Sequence, residues 1–164
     1  MSHKVIVDET DVGQGVFASQ MIKPGELIFY LNGKMIDFEQ SKGFQGEYSV
    51  QVGIGRYVDP IAPGRFLNHS CEPNSGFSDS FSLVALRQID RGEEIRFDYS
   101  TTMFERFWEL DCQCGSTRCR RRIRDFDLLP ESLRNKYFNL GIVPEFILEE
   151  LGVPALQRIT KFAA

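Results

Sequence analysis

No apolar run in the first hundred residues is long enough to build more than a short strand. The β-branched, aromatic and aliphatic stretches at 5–7, 16–18, 27–31, 48–52, 83–86 and 95–97 are punctuated by turn chemistry. Lys23-Pro24-Gly25-Glu26, Asn32-Gly33, Asp59-Pro60, Ala62-Pro63-Gly64 and Asp90-Arg91-Gly92-Glu93 supply it, through prolines that fix φ and glycines that accept positive φ. The chain therefore reads as mainly β, within the α+β class. Two of the turns share the form Ile-x-x-Gly-Glu-x-Ile, at Ile22 to Ile28 and Ile89 to Ile95. That form reads as a recurrent entry into a strand rather than an internal repeat.

After Cys119 the pattern changes. Pro130-Glu131-Ser132-Leu133 opens a helix expected to run to Asn139, with Gly141 placed to stop it. Pro144 sits at the first turn of a second helix carrying Phe146, Ile147, Leu148 and Leu151, and a third is expected over 154–162. No Ser- or Pro-rich linker separates these helices from what precedes them, so a helical tail packed on one unit is expected.

At 164 residues, with 42% hydrophobic and 26% charged, the chain has the size and composition of one soluble globular domain. No apolar run approaches bilayer length, and residues 1–8 lack a basic stretch leading into an apolar one. The expectation is an intracellular protein, neither secreted nor inserted in a membrane. A net charge of −4 argues against direct nucleic-acid binding and favours a Lys- or Arg-rich partner. The local exception is Arg118, Arg120, Arg121, Arg122 and Arg124, which reads as a solvated basic face with salt bridges ahead of a dedicated anion site.

Cysteines stand at 71, 112, 114 and 119. In an intracellular chain, metal or catalytic uses outweigh disulfides. Cys112-x-Cys114-x4-Cys119 is compact, and Gly115 and Ser116 permit the tight turn that wraps thiolates round an ion. Three ligands leave a tetrahedral zinc one short, and Cys71 is the remaining thiol. Four thiolates leave no open position, so such a zinc would be structural. The bland reading, a set of small buried residues, is weighed against this and ranked lower.

The most specific stretch is Arg65-Phe66-Leu67-Asn68-His69-Ser70-Cys71-Glu72-Pro73-Asn74. Alone, a His beside an Asn is more often a structural hydrogen-bonding pair than a ligand. Three other segments accompany it: Gly13-Gln14-Gly15-Val16-Phe17-Ala18, Gly92-Glu93-Glu94-Ile95-Arg96-Phe97-Asp98-Tyr99, and Asp111-Cys112-Gln113-Cys114-Gly115-Ser116-Thr117-Arg118-Cys119-Arg120. In this order, across roughly residues 5 to 124, they resemble the motifs of SET-domain protein lysine methyltransferases with a post-SET zinc module.

The resemblance implies a SET-type β-fold of small twisted sheets with a pseudoknot, in which the Asn68 and Tyr99 segments lie side by side. It divides the chain into a SET domain at 1–110, a post-SET zinc module at 111–124 and a helical extension at 125–164. It implies S-adenosylmethionine as cofactor, one structural zinc on Cys71, Cys112, Cys114 and Cys119, and a lysine-bearing protein substrate such as a histone tail. Gly13, Gln14, Gly15 and Val16 would line the cofactor pocket, where a Cβ on either glycine would collide with a closely approaching ligand. Asn68 would bond the cofactor's amino-acid end, His69 would meet its adenine, and Arg65 and Tyr48 would border it. For Tyr48 a plain half-buried strand aromatic is an equal reading, and Arg65 could merely brace the segment.

The attacking lysine must be neutral, yet its ordinary pKa is about 10.4, so deprotonation near neutrality costs on the order of 4 kcal/mol. An apolar channel beside a sulfonium lowers that pKa, so a water path could carry the proton without a strong base. Tyr99 would orient the amine and help position the methyl, and Tyr30 would be a second channel tyrosine. Phe97 occupies the position the family uses to set product state. Phenylalanine there leaves room for di- or trimethylation, against a reading of plain core packing. Phe107 and Trp108 are split evenly between the channel and the anchoring of the zinc module.

Two departures stand out: Arg120-Arg121-Arg122-Ile123 lacks the family's glycine after the last cysteine, and no cysteine-rich segment precedes the core. The competing functions are a non-enzymatic reader or scaffold on the same fold and a zinc-dependent nucleic-acid module. Sequence leaves oligomeric state open.

Overall fold

The computed structural model describes residues 4–43 and 47–154, so the helix expected over 154–162 lies, beyond Pro154, outside them. Among the described residues the strands form four small sheets. The first contains β1 (Val5–Thr10), β2 (Gly13–Ala18), β7 (Asn68–His69) and β10 (Glu94–Phe97), in the order β1-β2-β10-β7. The second is β3 (Leu27–Tyr30), β9 (Ser82–Ala85) and β8 (Ser75–Phe77), and the third is β4 (Gly33–Asp37), β6 (Arg56–Pro60) and β5 (Val50–Gly53). A two-residue ladder of β11 (Leu110–Asp111) and β12 (Arg122–Ile123) is the fourth. This is the mainly β architecture expected.

All six predicted strands form, with ends shifted by a few residues. Asp59-Pro60 does not turn the chain. Both residues close β6, where Pro60 is the last residue and pairs with Gly33, a terminal position at which a missing N–H is tolerated. Gly33 has no room for a side chain, because a Cβ there would lie 2.1 Å from the Asp59 carbonyl oxygen. The two Ile-x-x-Gly-Glu turns meet each other: Ile22 and Ile89 exchange backbone hydrogen bonds of 2.9 and 3.0 Å and both are fully buried. Their recurrence is a pairing of two strand entries.

The main core is aliphatic and aromatic, with Val16, Leu83, Ile95 and Phe77 at its centre and Phe97 and Tyr99 at its margin. A second cluster belongs to the tail. After the single turn of α1 (Phe38–Ser41), helix α2 (Glu131–Asn139) follows Pro130, ends before Gly141 with its positive φ, and leads into α3 (Glu145–Glu150) behind Pro144, as the sequence predicts for α2 and α3. Tyr137, Ile142 and Ile147 from this region are fully buried and pack toward Val84, Leu86 and Phe104. Gly76 on β8 makes room for the contact: a Cβ there would lie 2.8 Å from the side chain of Ile142. The described part of the tail, up to residue 154, is thus packed against the β-sheet body.

The site is positioned by one crossing. Strand β10 pairs antiparallel with β2 and parallel with β7, with Arg96 opposite Asn68 and Phe97 opposite His69. Residues beyond β7 hold it there: Ser70 N–H donates to Phe97 O, Asn74 N–H to Arg96 O, and Arg96 N–H to Asn74 Oδ1 at 2.9 Å.

Candidate active site and metal centre

The β7–β10 pairing brings Asn68, His69 and Tyr99 together. Asn68 Nδ2 donates to Glu94 Oε1 at 2.8 Å and to Gln14 O at 3.1 Å, tying the asparagine to both flanking strands. The Tyr99 amide donates to His69 Nδ1 at 3.2 Å, which leaves the imidazole proton on Nε2. Burial, aided by Arg120 and opposed by Asp98, pushes the His69 pKa down to about 4, so the ring is neutral near pH 7. The Tyr99 phenol donates to Leu67 O at 2.6 Å, and burial together with the charge of Glu94 holds its pKa well above the ordinary value. It is a protonated hydroxyl with lone pairs to spare.

Tyr99 lines two cavities. The larger, about 580 Å³, is bordered by Asn68, His69, Glu94 and Arg96, by the β1–β2 turn at Thr10, Asp11 and Val12, and by residues 110–115. The smaller, about 140 Å³, is bordered by Tyr48, Tyr57, Arg65, Phe97, Glu105, Phe107 and Trp108. The ring of Phe97 lies 4.9 Å from that of Tyr99 and 5.1 Å, edge-on, from that of Phe77. Phe97 is therefore both core and wall.

The expected site residues divide between these spaces. Asn68 and His69 border the larger, whereas Arg65 and Tyr48 border the smaller. The Arg65 guanidinium lies 4.1 Å from the Tyr48 ring centroid and donates to Asp59 at 2.8 Å. Gly13 to Val16 run alongside the larger cleft rather than on its wall. The Val16 side chain is fully buried in the core and borders neither cavity. Gly15 is tight for a different reason from the one expected: a Cβ would lie 2.7 Å from Glu94 Oε1 and from Thr10 Cγ2, and 3.2 Å from Asn68 Nδ2. It protects the seat of Asn68. Gly13 meets nothing and is required by its φ of +121°.

Tyr30 closes β3 with 58% of its surface exposed and is not among the residues around either cavity; Tyr48 and Tyr57 hold the positions beside Phe97. Sequence reasoning missed Tyr57, Glu105, Glu94 and the Thr10–Val12 turn. Glu94 had a signal, being part of the motif that ends in Tyr99. Phe107 and Trp108 both border the smaller cavity.

The four cysteines are free thiols, and Cys71 Sγ lies 3.7 Å from Cys112 Sγ. Two thiolates on a tetrahedral zinc, at Zn–S about 2.3 Å, would stand about 3.8 Å apart. The donor atoms of His69, Cys71, Cys112 and Cys114 lie within 4.8 Å of one another, a set that holds His69 in place of the expected Cys119. The tautomer argues against His69 as a ligand. Its Nδ1 is taken by the Tyr99 amide, and its protonated Nε2 points at Cys71 Sγ from 3.3 Å, as a donor to sulfur. Cys119 packs on the same cluster, with its thiol 3.6 Å from Cys112 O. Burial pushes the Cys71 thiol up to about 11, so a divalent cation's charge is what would hold it as thiolate. Backbone N–H groups of Arg120 and Arg121 donate to Cys71 and Cys119 at 3.4 Å, which suits sulfur carrying negative charge. The donor set fits a structural zinc.

Four of the five arginines of the cluster, all but Arg121, are paired with acids. Arg122 and Arg124 meet Glu109, Arg122 also meets Asp111, and Arg118 meets Glu72. Arg120 departs from the solvated face expected: its side chain is 16% exposed and grips buried Asp98 with two bonds of 2.7 and 2.8 Å.

The family model described as "SET domain" matches residues 13–100, just over half of the chain. The chain is 35% identical over 129 residues to the human protein named "Histone-lysine N-methyltransferase 2B", covering 66% of this chain and 5% of that one. It is 26% identical over 154 residues to "Histone-lysine N-methyltransferase ASHH3" of Arabidopsis thaliana, covering 82% and 42%. With "Histone-lysine N-methyltransferase, H3 lysine-36 specific" of Candida albicans it shares 29% over 176 residues, covering 94% and 20%. The chain spans less than half the length of each of these relatives. A parallel seat for Asn68 and Tyr99, a zinc-competent cluster beside it and a matching family model lead to one assignment: the chain belongs to the SET-domain family.

Proposed function

We propose that this chain is a protein-lysine N-methyltransferase that uses S-adenosylmethionine, and that its substrate is a histone or another lysine-bearing protein. The observation that carries the reading is Tyr99, which lines both a large cleft and a small cavity rich in aromatic side chains. A group-transfer enzyme needs such a partition, with donor and acceptor entering from opposite sides and meeting at one hydroxyl. The three relatives described above are each named a histone-lysine N-methyltransferase, which supports the same reaction class.

The larger cleft suits the cofactor. Asn68, fixed by Glu94 and Gln14, would present its amide to the amino-acid end, and the His69 segment would border the adenine. When bound, the cofactor supplies an electrophilic methyl on a sulfonium. The smaller cavity suits the lysine side chain. Phe97, Tyr48, Tyr57 and Trp108 would exclude water around the amine, and the Tyr99 hydroxyl, anchored on Leu67 O, would orient the nitrogen. With phenylalanine at 97, di- or trimethylation is the proposed outcome. One zinc on Cys71, Cys112, Cys114 and Cys119 would fix the 110–115 wall of the cofactor cleft.

Among the described residues no helix is long and apolar enough to cross a membrane. We place the protein inside the cell, in the nucleus if it acts on histones, and propose no direct contact with nucleic acid, since four of the five clustered arginines are paired with acids. Incubation with methyl-labelled cofactor and either histone H3 or a lysine-peptide array tests the function. Label on lysine is the expected result. Tight cofactor binding with no label on any substrate would favour the scaffold.

A further inference from the structure

Glu105 is a carboxylate on the wall of the smaller cavity, the same space that Tyr99 and Phe97 border. It lies in the stretch between the tyrosine segment and the cysteines. Its one polar side-chain partner is the phenol of Tyr57, which donates to Oε2 at 2.5 Å. Among the described residues no lysine or arginine pairs with it. The cation nearest in the lining, Arg65, is spent on Asp59 and stacked on Tyr48. Asp125, nearly fully buried behind Glu105, adds repulsion, and Glu47, the other carboxylate on the wall, is exposed. Six aromatic side chains, Tyr48, Tyr57, Phe97, Tyr99, Phe107 and Trp108, share the wall with Glu105.

Partial burial of a carboxylate without a counter-cation is costly, and a site that bears that cost is arranged for a cation that arrives with a ligand. The cavity is small, so a guest inside it meets the walls directly. An alkylammonium is the guest that both the aromatic faces and the carboxylate favour. We propose that Glu105 is the counter-charge of the lysine channel: its carboxylate receives the target ammonium and accepts the proton that the amine must lose. This rests on the methyltransferase reading above.

The step balances. The proton passes from nitrogen to a carboxylate oxygen, and the N–H electron pair stays on nitrogen. That pair forms the new N–C bond while the methyl's bond to sulfur breaks with its electrons left on sulfur. The protonated carboxyl then releases its proton to solvent. Each further methyl requires another such loss, because every product up to the dimethyl stage is again an ammonium. Burial raises the Glu105 pKa above the ordinary value and Asp125 adds to this, while the Tyr57 bond opposes both. A carboxyl moved upward is a better match for abstracting a proton near neutral pH.

The test is Glu105→Gln, which keeps the shape and leaves an amide oxygen for Tyr57. Transfer to histone H3 is followed from pH 6.5 to 10, beside binding of an H3 peptide and the same peptide with norleucine at the target lysine. The expected result is a fall in kcat/KM of about 100-fold near pH 7 that shrinks to a few-fold by about pH 10, where bulk base removes the proton. Cofactor affinity stays unchanged. Wild type binds the lysine peptide about 10-fold more tightly than the norleucine peptide, and the variant loses that preference. Tyr57→Phe, which removes the donor that favours the ionised carboxyl, moves the acid limb of the profile upward. A wild-type rate in Glu105→Gln, a loss equal at every pH, or an unchanged lysine preference would overturn the proposal. If wild type transfers nothing yet loses its lysine preference on mutation, the counter-charge stands and the methyltransferase reading falls.

Discussion

The phenol of Tyr137 in α2 donates to Asp98 Oδ2 at 2.6 Å, one residue ahead of Tyr99. Both side chains are shielded from solvent, at 0% and 1% exposure. Arg120, directly after the last cysteine, occupies the same carboxylate with two bonds, and Asp98 also caps the turn that carries Tyr99 by accepting from Ser100 N–H at 3.1 Å. One carboxylate therefore joins the tyrosine segment, the cysteine module and the helical tail.

Removing a partner from this junction should loosen all three. Tyr137→Phe keeps the ring and leaves Asp98 one bond short, at a cost of about 1–3 kcal/mol in urea or thermal unfolding. Asp98→Asn leaves Arg120 without its carboxylate and should cost about 3–5 kcal/mol. Equal stability of Tyr137→Phe and wild type would show the junction to be incidental.

The metal set can be counted. One equivalent of zinc should accompany the purified protein and be lost in Cys112→Ser and in Cys119→Ser. His69→Gln should retain it, because the ring serves as a donor to Cys71 rather than as a ligand. Chelation should destabilise strongly, on the order of the 10–16 kcal/mol seen in small structural zinc sites. Zinc held by Cys119→Ser but lost from His69→Gln would reverse the assignment.

Glu105 predicts how stability varies with pH. Burial holds its carboxyl above the ordinary value, so the folded protein binds this proton more tightly than the unfolded chain does. On this account stability is fullest below the ordinary carboxylate range and declines as pH rises through the folded value. Glu105→Gln lacks that titration. Its stability relative to wild type should grow as pH rises above the ordinary carboxylate range of about 4, read from unfolding midpoints at successive pH values. A difference that stays flat with pH would remove the physical basis for a strained carboxylate.

Phe97 predicts product state. Mass spectrometry of a long reaction should find di- or trimethylated lysine with wild type and a shift toward monomethyl with Phe97→Tyr. A lone monomethyl product from wild type would contradict the prediction.

What the sequence disclosed was local. Turn residues located six strands, Pro130 and Gly141 bracketed α2, and the 65–74 stretch pointed to Asn68, whose neighbour across the sheet is β10. What it concealed depended on distant contacts. Strand β4 buries only Ile36, so it shows no alternation, and β6 ends in Asp-Pro, which reads as a turn. Tyr30 and Tyr57 are both strand tyrosines with nothing local to tell them apart; pairing of β6 between β4 and β5 puts the second beside the cavity. Arg120 lay in a run of arginines that looks solvated, and only the fold brings Asp98 to it.

If the Tyr99 hydroxyl works between the two cavities, Tyr99→Phe should lose transfer while still holding the cofactor. Methyl transfer to histone H3 and cofactor affinity should be measured together on both proteins. Transfer should fall about 100-fold or more, with cofactor affinity within a few-fold of wild type. Full transfer by Tyr99→Phe, or no transfer by wild type with cofactor bound, would contradict it.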